Sequence, residues 1–353
     1  MARPSLQVTQ AAPDPVPAPA APQLSVVIPA RNAGATLHRA VRALQAQEAA
    51  PGTFEVVVVD DGSMDGSCDS LEGMAGPAPV RVVRQPPRGR AAARNYGARE
   101  ARGRVLLFLD ADILATPGLV RAHLAHHAGR PGLGVQGRLA TDPASLATFF
   151  MRATHRVALD TTRRRREGLS PYHVVTRNFS VDAAAFHRAG GFDEAFRGYG
   201  WEDIELAYRL VRDGVVLRYE PAALAYHHHV QTLDDLCEKM RQAGDGAVYF
   251  WRKHGRAWRL GLFLEILPVL LPVKWLVYRS GLLTAPLLPV LRLAERLGLL
   301  AVAGEVYNHL LWRAYYEGVF GAWRRPAPVA GSGEGRGASM RPRPRHVTPQ
   351  DVR

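Results

Sequence analysis

Cysteine is nearly missing: the 353 residues hold two, Cys68 and Cys237. Their separation fits no metal-ligand spacing and no disulfide framework, so a reducing compartment, the cytoplasm, is the default. No P-loop pattern occurs, and the glycines from Gly89 to Gly103 form no dinucleotide fingerprint, so bound phosphate would need another holder. Met1–Ala2–Arg3–Pro4–Ser5 lacks the apolar core of a signal peptide. No apolar run reaches the roughly 20 residues a spanning helix needs. The most apolar stretch, Leu260 to Ala303, is broken by Glu265, Lys274, Arg279, Arg292 and Glu295 and by Pro268, Pro272, Pro286 and Pro289. Acidic residues are in deficit, 32 against 45 Lys and Arg, for a net charge of +13. Part of that excess follows Pro326, where five arginines face only Glu334 and Asp351. No nucleic-acid motif or interleaved aromatics accompany it, which excludes nucleic acid as the expected partner. Anionic lipid or a phosphorylated substrate fits the charge instead.

What is present reads as α/β. Residues 1–22, rich in Ala, Pro and Gln, are expected to be a disordered arm, and 326–353 a disordered basic tail. Between them lie strands at Leu24–Ile28, Phe54–Val59, Val80–Val83 and Val105–Leu109, alternating with helical patterns. Thr36 and Thr116–Pro117 are candidate helix starts, and Gly103 ends a helix that begins near Arg90. This alternation argues for a mostly parallel sheet with flanking helices. Later, Tyr172–Val175 reads as a strand, Asp182–Ala189 as a short helix, Val215–Tyr219 and Ala222–Tyr226 as extended. Thr232–Asp235 opens a helix with a capping box. Residues 256–325 read as an apolar helical appendage, either lying on the inner face of a membrane or capping the core.

The strands of the first half end in polar clusters: Arg31–Asn32, Asp60–Asp61, then Asp110 and Asp112. In a parallel sheet such ends converge on one crevice. On an extended backbone Asp110 and Asp112 point to one side, and paired carboxylates suit a hard divalent cation that in turn suits a diphosphate. Taken alone, a solvated turn explains the pair as well. Asp60 or Asp61 could accept from a base N–H or ribose hydroxyls, and Arg94 could offset phosphate charge or touch the base. Asn95 reads equally as a surface residue. Downstream, Gly190–Glu194 leads into Gly198–Asp203. Glycines allow close approach to a ligand, and a macrodipole keeps Glu202 and Asp203 ionised at the start of a helix, as a general base requires. Arg163–Arg166 reads as a mobile basic loop.

In this order and spacing, the segments Leu24–Asn32, Val59–Asp65, Gly89–Gly97, Leu109–Asp112, Asn178–Ser180, Gly190–Glu194 and Gly200–Asp203 resemble the family 2 glycosyltransferases of GT-A fold. The resemblance covers about residues 24–255. It implies a domain over 23–255, with a nucleotide-binding half at 23–115 and a catalytic half at 116–255. It implies inverting transfer of a sugar from a nucleotide-diphospho-sugar to an acceptor hydroxyl, dependent on Mg²⁺ or Mn²⁺. Pro29, Arg31, Asn32, Asp60, Asp61, Arg94, Asp110 and Trp201 would bind the donor. Asp112 with Asp110 would ligate the metal, joined by a histidine at Tyr226–His229, for which His227 matches the aromatic–His pair better than His229. Asp203 would be the base and Glu202 its partner at the sugar. Ala33 replaces the family's usual acidic residue. No Gln/Arg–x–x–Arg–Trp signature follows Asp203, which points to single addition rather than polymer synthesis. The competing enzyme reading, a sugar-1-phosphate nucleotidyltransferase, needs a Gly-rich loop with a Lys or Arg that Pro29–Gly34 does not supply; a non-catalytic sugar- or lipid-binding scaffold is the third.

Overall fold

The computed structural model describes residues 21–157 and 168–325. The arm up to residue 20, Arg163–Arg166 and the tail from 326 fall outside the described residues. Eight strands form one sheet: β1 (Leu24–Ala30), β2 (Phe54–Asp60), β3 (Val80–Arg84), β4 (Val105–Leu109), β5 (Ile113–Ala115), β6 (Leu133–Thr141), β7 (Asn178–Asp182) and β8 (Val216–His227), in the order β3-β2-β1-β4-β7-β6-β8-β5. Only β7 and β5 run against the rest. The helices are α1 (Gly34–Gln45), α2 (Arg90–Glu100), α3 (Leu119–His127), α4 (Phe149–Val157), α5 (Ala183–Arg188), α6 (Glu202–Arg212), α7 (Leu233–Lys253), α8 (Trp258–Phe263), α9 (Leu271–Lys274), α10 (Thr284–Arg296) and α11 (Leu300–Arg324).

The apolar runs are strands buried on both faces. Val26, Ile28, Val56, Val58, Leu107 and Leu109 join α1 and α3 in one core, while Val27, Val57, Val59, Leu106 and Phe108 join α2, α5 and α6 in the other. Gly97 lets α2 sit directly on the sheet, since a Cβ there would collide with Val27 and Val59. The pairing Ala30↔Asp60 in β1–β2 and Val27↔Phe108 in β1–β4 brings the three polar strand ends to one level. Helices leave β1 and the strands beside it on opposite faces there, the switch point at which open α/β sheets bind ligands.

Several sequence expectations change. Helix α1 starts at Gly34 rather than behind Thr36, and its free Gly34 N–H donates to Asp65 Oδ2 at 2.9 Å. Thr116 caps nothing; its hydroxyl donates to Leu224 O at 2.7 Å, and α3 starts at Leu119. Tyr172–Val175 is not a strand, because Pro171 opens a 3₁₀ turn over Pro171–His173. The two extended segments after Gly214 are one strand, β8, with a register shift against β6 at Gly137/Arg138. The Asn178 amide bridges that shift, donating to Arg138 O at 3.0 Å and Ala223 O at 2.8 Å. The capping box at Thr232 is present as expected, with Asp235 N–H on Thr232 Oγ1 and Thr232 N–H on Asp235 Oδ2.

The 256–325 region contains a segment, Trp258–Arg279, that is long and apolar enough to cross a membrane by length and composition, with mean hydropathy 1.9, which corrects the expectation that none exists. It is not one straight helix: Glu265 sits at φ 56°, and Leu260, Leu264 and Ile266 pack into a core with Tyr315 and Tyr316 of α11. Helix α11 returns along α7 across Gly244 and Gly318, where a Cβ on either would strike the partner helix's carbonyls. Between α6 and α7 lies Glu205, fully buried, accepting from Arg209 Nη2 (2.7 Å) and His254 Nε2 (3.0 Å) and paired with Lys253 Nζ (2.7 Å).

Burial alone would raise the Glu205 carboxyl, but hydrogen bonds from His254, Arg209 and Lys253 hold it down at about 2. Its stabilising share is therefore full above its ordinary value and lost as pH falls toward 2. Glu205→Gln removes the buried charge that Arg209 and His254 share, although Lys253 keeps Asp193, and should cost about 3 kcal/mol in urea unfolding, with a flatter stability profile between pH 5 and 2 than wild type.

Candidate active site

The site is built on one buried arginine. Arg94, 1% exposed in α2, donates from Nη2 to Asp110 Oδ1 at 2.6 Å and from Nη1 to Glu202 Oε1 at 3.1 Å. It thereby ties the end of β4 to the start of α6. The expectation that Arg94 reaches phosphate or base changes accordingly: both its terminal nitrogens are engaged by carboxylates. Arg90, one turn earlier, faces the opening instead, 3.7 Å from Glu202 and over the Tyr199 ring.

Asp112 meets His227 through strand register. β5 begins one residue after Asp112 and pairs antiparallel with β8, Ile113 opposite His227. His227 Nε2 lies 3.1 Å from Asp112 Oδ2, and its Nδ1 is 3.3 Å from Arg177 Nη1. Since Arg177 can only donate, Nδ1 accepts and Nε2–H donates to Asp112. His229 stacks on His227 at 3.9 Å with its Nδ1 buried and unpartnered. His228 points elsewhere, onto Asp142.

Two connected cavities meet at these carboxylates. The larger, about 500 Å³, is lined by Pro29, Arg31, Asn32, Asp61, Arg90 and the Asp110–Asp112 turn, among others. The smaller, about 290 Å³, is lined by Arg94, Arg177, Trp201, Glu202, Asp203 and His227, among others, and shares Arg90, Asp110, Asp112 and Tyr199 with the first. Trp201 thus belongs to the inner cavity, away from the strand-end pocket. Asn32, at φ 49°, accepts Met64 N–H at 2.8 Å and so pins the β2 loop beneath it. Asp60 is occupied by Ser63 N–H at 2.7 Å and Arg84 at 3.7 Å and does not line the cavity. Asp61 accepts from Gln85 Nε2, Arg88 N and Gly89 N at 2.7–2.9 Å, so it shapes the cleft wall.

The glycine loop of the second half reaches the cleft at Gly198 and Gly200, as its sequence suggested, but not at Gly190–Gly191. Gly191 packs against Asn95, whose amide exchanges hydrogen bonds with Phe192 N and O at 2.8 and 2.9 Å. Asn95 is therefore a clasp between α2 and the loop before α6. Strain sits one step later. Trp201 precedes α6 at φ 75°, a conformation costly for a bulky residue, with its indole donating to Ala243 O at 2.6 Å.

Charge in the site is divided. Burial would raise Asp110, but Arg94, Arg90 and Arg177 hold it down at about 2. Burial and the neighbouring Glu202 charge raise Asp203 to about 6, against the pull of Arg94. Desolvation outweighs the helix dipole that was expected to keep Asp203 low. Arg90, Arg177, Tyr199 and Lys239 line the inner cavity without having been singled out in the sequence. Arg90 lies inside one matched segment and Arg177 stands next to another, which was the available signal; Lys239 lies on α7 and only the fold brings it in. Among the described residues no three carboxylate, histidine or thiol groups gather as a metal cluster. Asp112 Oδ1 and Glu202 Oε2 are buried without partners, open to a ligand.

A half-parallel sheet with its cleft at the switch point, closed by a mixed second half, is a GT-A-like fold. It resembles the mannosyltransferase PcManGT from Pyrobaculum calidifontis, solved with GDP-Man and Mn²⁺, at TM-score 0.56 and 17% identity over 86% of this chain and 89% of that one. Residues 25–196 match glycosyl transferase family 2, and residues 171–243 match glycosyltransferase like family 2. The chain belongs to family 2 of the glycosyltransferases. It is 39% identical over 227 residues to a validoxylamine A glucosyltransferase of Streptomyces hygroscopicus subsp. limoneus, covering 55% of this chain and 49% of that protein. It is 30% identical over 254 residues to a pre-mycofactocin glycosyltransferase of Mycobacterium tuberculosis, covering 70% of this chain and 52% of that protein. The chain thus spans about half the length of the curated relatives it matches.

Arg94→Lys reaches one carboxylate at most. It should lower stability by about 3 kcal/mol in chemical denaturation, the cost of a broken buried pair.

Proposed function

We propose that this domain moves a sugar from a nucleotide-diphospho-sugar to an acceptor hydroxyl with inversion, Asp203 acting as general base. The observation that carries the reading is a half-buried carboxylate held at about 6 at the head of α6, in one cavity with Asp110 and Asp112. Such a group is ionised at neutral pH yet basic enough to take the hydroxyl proton as the new bond forms.

The nucleoside occupies the larger cavity against Pro29–Asn32 and Asp61. The diphosphate lies toward Asp110 and Asp112, where Arg90, Arg177 and Lys239 offset its charge. The sugar enters the inner cavity, its hydroxyls within reach of Glu202, which Arg94 and Arg90 hold in one orientation. The acceptor oxygen gives its proton to Asp203 and bonds the anomeric carbon on the face opposite the diphosphate. The bond to the diphosphate breaks with its electron pair, and a nucleoside diphosphate leaves. Beyond Tyr199 and Arg177 a third cavity, about 400 Å³, continues between α4, α7 and α11 past Leu311 and Trp312, and the rest of the acceptor extends into it.

Asp112 and His227 suit a divalent cation once the imidazole proton moves from Nε2 to Nδ1 and the Arg177 contact is released: Asp112 Oδ1 is buried without a partner, and an oxygen–imidazole pair fits Mn²⁺ or Mg²⁺. Arg94 takes one oxygen of Asp110, which does not gather with Asp112 and His227 into a three-donor set. When bound, the ion offsets charge on the departing diphosphate. The mannosyltransferase of like fold carries the same two ligand types, a nucleotide sugar and Mn²⁺.

A panel of nucleotide sugars screened by thermal shift with Mn²⁺ identifies the donor, since binding raises apparent stability. With that donor, Asp203→Asn should keep the shift and lose transfer by about 10³-fold. Equal loss of both would make Asp203 structural. Wild-type transfer should fall about tenfold per pH unit below about 6. Asp112→Ala should abolish the response to added Mn²⁺ after chelation; full turnover in that variant would refute the metal assignment.

A further inference from the structure

We propose that α8 to α10 form a platform that seats the protein on the surface of an anionic phospholipid bilayer. Sixteen of the twenty-one exposed large hydrophobic side chains among the described residues lie between Trp258 and Val302. Val269 is 77% exposed and Leu282 69%, and Trp258, Val273, Leu293 and Leu297 each more than half. A concentration of this kind marks an interaction surface rather than the scattered apolar exposure of a monomer.

Charge selects the partner. Arg256, Arg259, Arg292 and Arg296 are exposed in the same stretch and have no ion-paired carboxylate among the described residues. Both acidic residues there are engaged: Glu265 with Lys274 Nζ at 2.6 Å, and Glu295 with the Tyr307 hydroxyl. An apolar face rimmed by free arginines and bearing two half-exposed tryptophans, Trp258 and Trp275, matches the interface of an anionic bilayer. A second copy of the chain would place the same arginines against each other with no carboxylate between them.

The platform lies on the surface rather than crossing it. The Tyr315 and Tyr316 hydroxyls donate to Leu264 O at 2.7 Å and Glu265 O at 3.1 Å, fastening that backbone to α11. Leu291 and Ala294 of α10 pack on Ala153 of α4 and Tyr307 of α11. Those two helices wall the third cavity, so a docked bilayer lies next to the acceptor side.

The test is flotation of the full-length chain with vesicles of phosphatidylcholine alone or with phosphatidylglycerol. The chain should float with the anionic vesicles and release as salt rises. Val269→Asp/Leu293→Asp should reduce partitioning at least tenfold, and Arg292→Gln or Arg296→Gln about fivefold each. All are exposed, so melting temperature should be unchanged. Failure of the wild-type chain to float would overturn the proposal. So would undiminished flotation of Val269→Asp/Leu293→Asp, which would assign binding to the arginines after residue 326. A lipid-free dimer in light scattering that this double variant converts to monomer would assign the face to a second copy.

Discussion

One guanidinium, buried under the cleft, holds the two halves of the domain in register. Arg94 is desolvated at a cost that only paired carboxylates offset, and its partners come from both halves: Asp110 from the end of β4, Glu202 from the start of α6. Because the fork of a guanidinium is rigid, fixing one carboxylate fixes the other. Asp110 is held ionised by this contact, while Asp203, one residue from Glu202, is left with burial and like charge. The same cation therefore separates two carboxylates into different protonation ranges. Asp61 and Asn95 act in a similar manner, spending their hydrogen bonds on loops so that backbone, not side chains, shapes the cleft.

Much of this was legible in the sequence, and the reasons differ by element. Strands β1, β2 and β4 are uninterrupted apolar runs because both of their faces are covered, and such runs announce themselves. Their polar ends follow from parallel pairing, so the convergence of Asn32, Asp61, Asp110 and Asp112 could be argued before any coordinates. His227 was placed near the carboxylates by resemblance to the family; the contact itself depends on β5, three residues long and invisible to any periodicity. Strand β6 was missed because Gly134, Gln136 and Gly137 break its apolar pattern, and its pairing is with distant β7 and β8.

The roles within the cleft were less legible than its location. Arg94 and Asn95 sit in a short Ala/Arg helix with no amphipathic contrast, and each is buried against a partner far along the chain, Glu202 for Arg94 beside the nearer Asp110, and Phe192 for the neutral Asn95. Helix start signals misled where tertiary partners took the capping group, as Thr116 shows. The basic Arg163–Arg166 run lies outside the described residues, and the apolar 256–325 region reveals its fold only through α11.

The close crossing of α7 and α11 bears on where this protein can be divided. The family 2 match ends at residue 243, inside α7 and next to the glycine on which α11 rests. Modular boundaries drawn by homology and those drawn by packing therefore disagree here. Helix α11 contributes Trp312 to the wall of the third cavity and two tyrosine hydroxyls to the backbone just after α8, so it is a keel shared by that cavity and the apolar face. A change in the packing of α11 would therefore reach the third cavity and the exposed apolar face together, as a single unit, while leaving the strand-end cavity untouched.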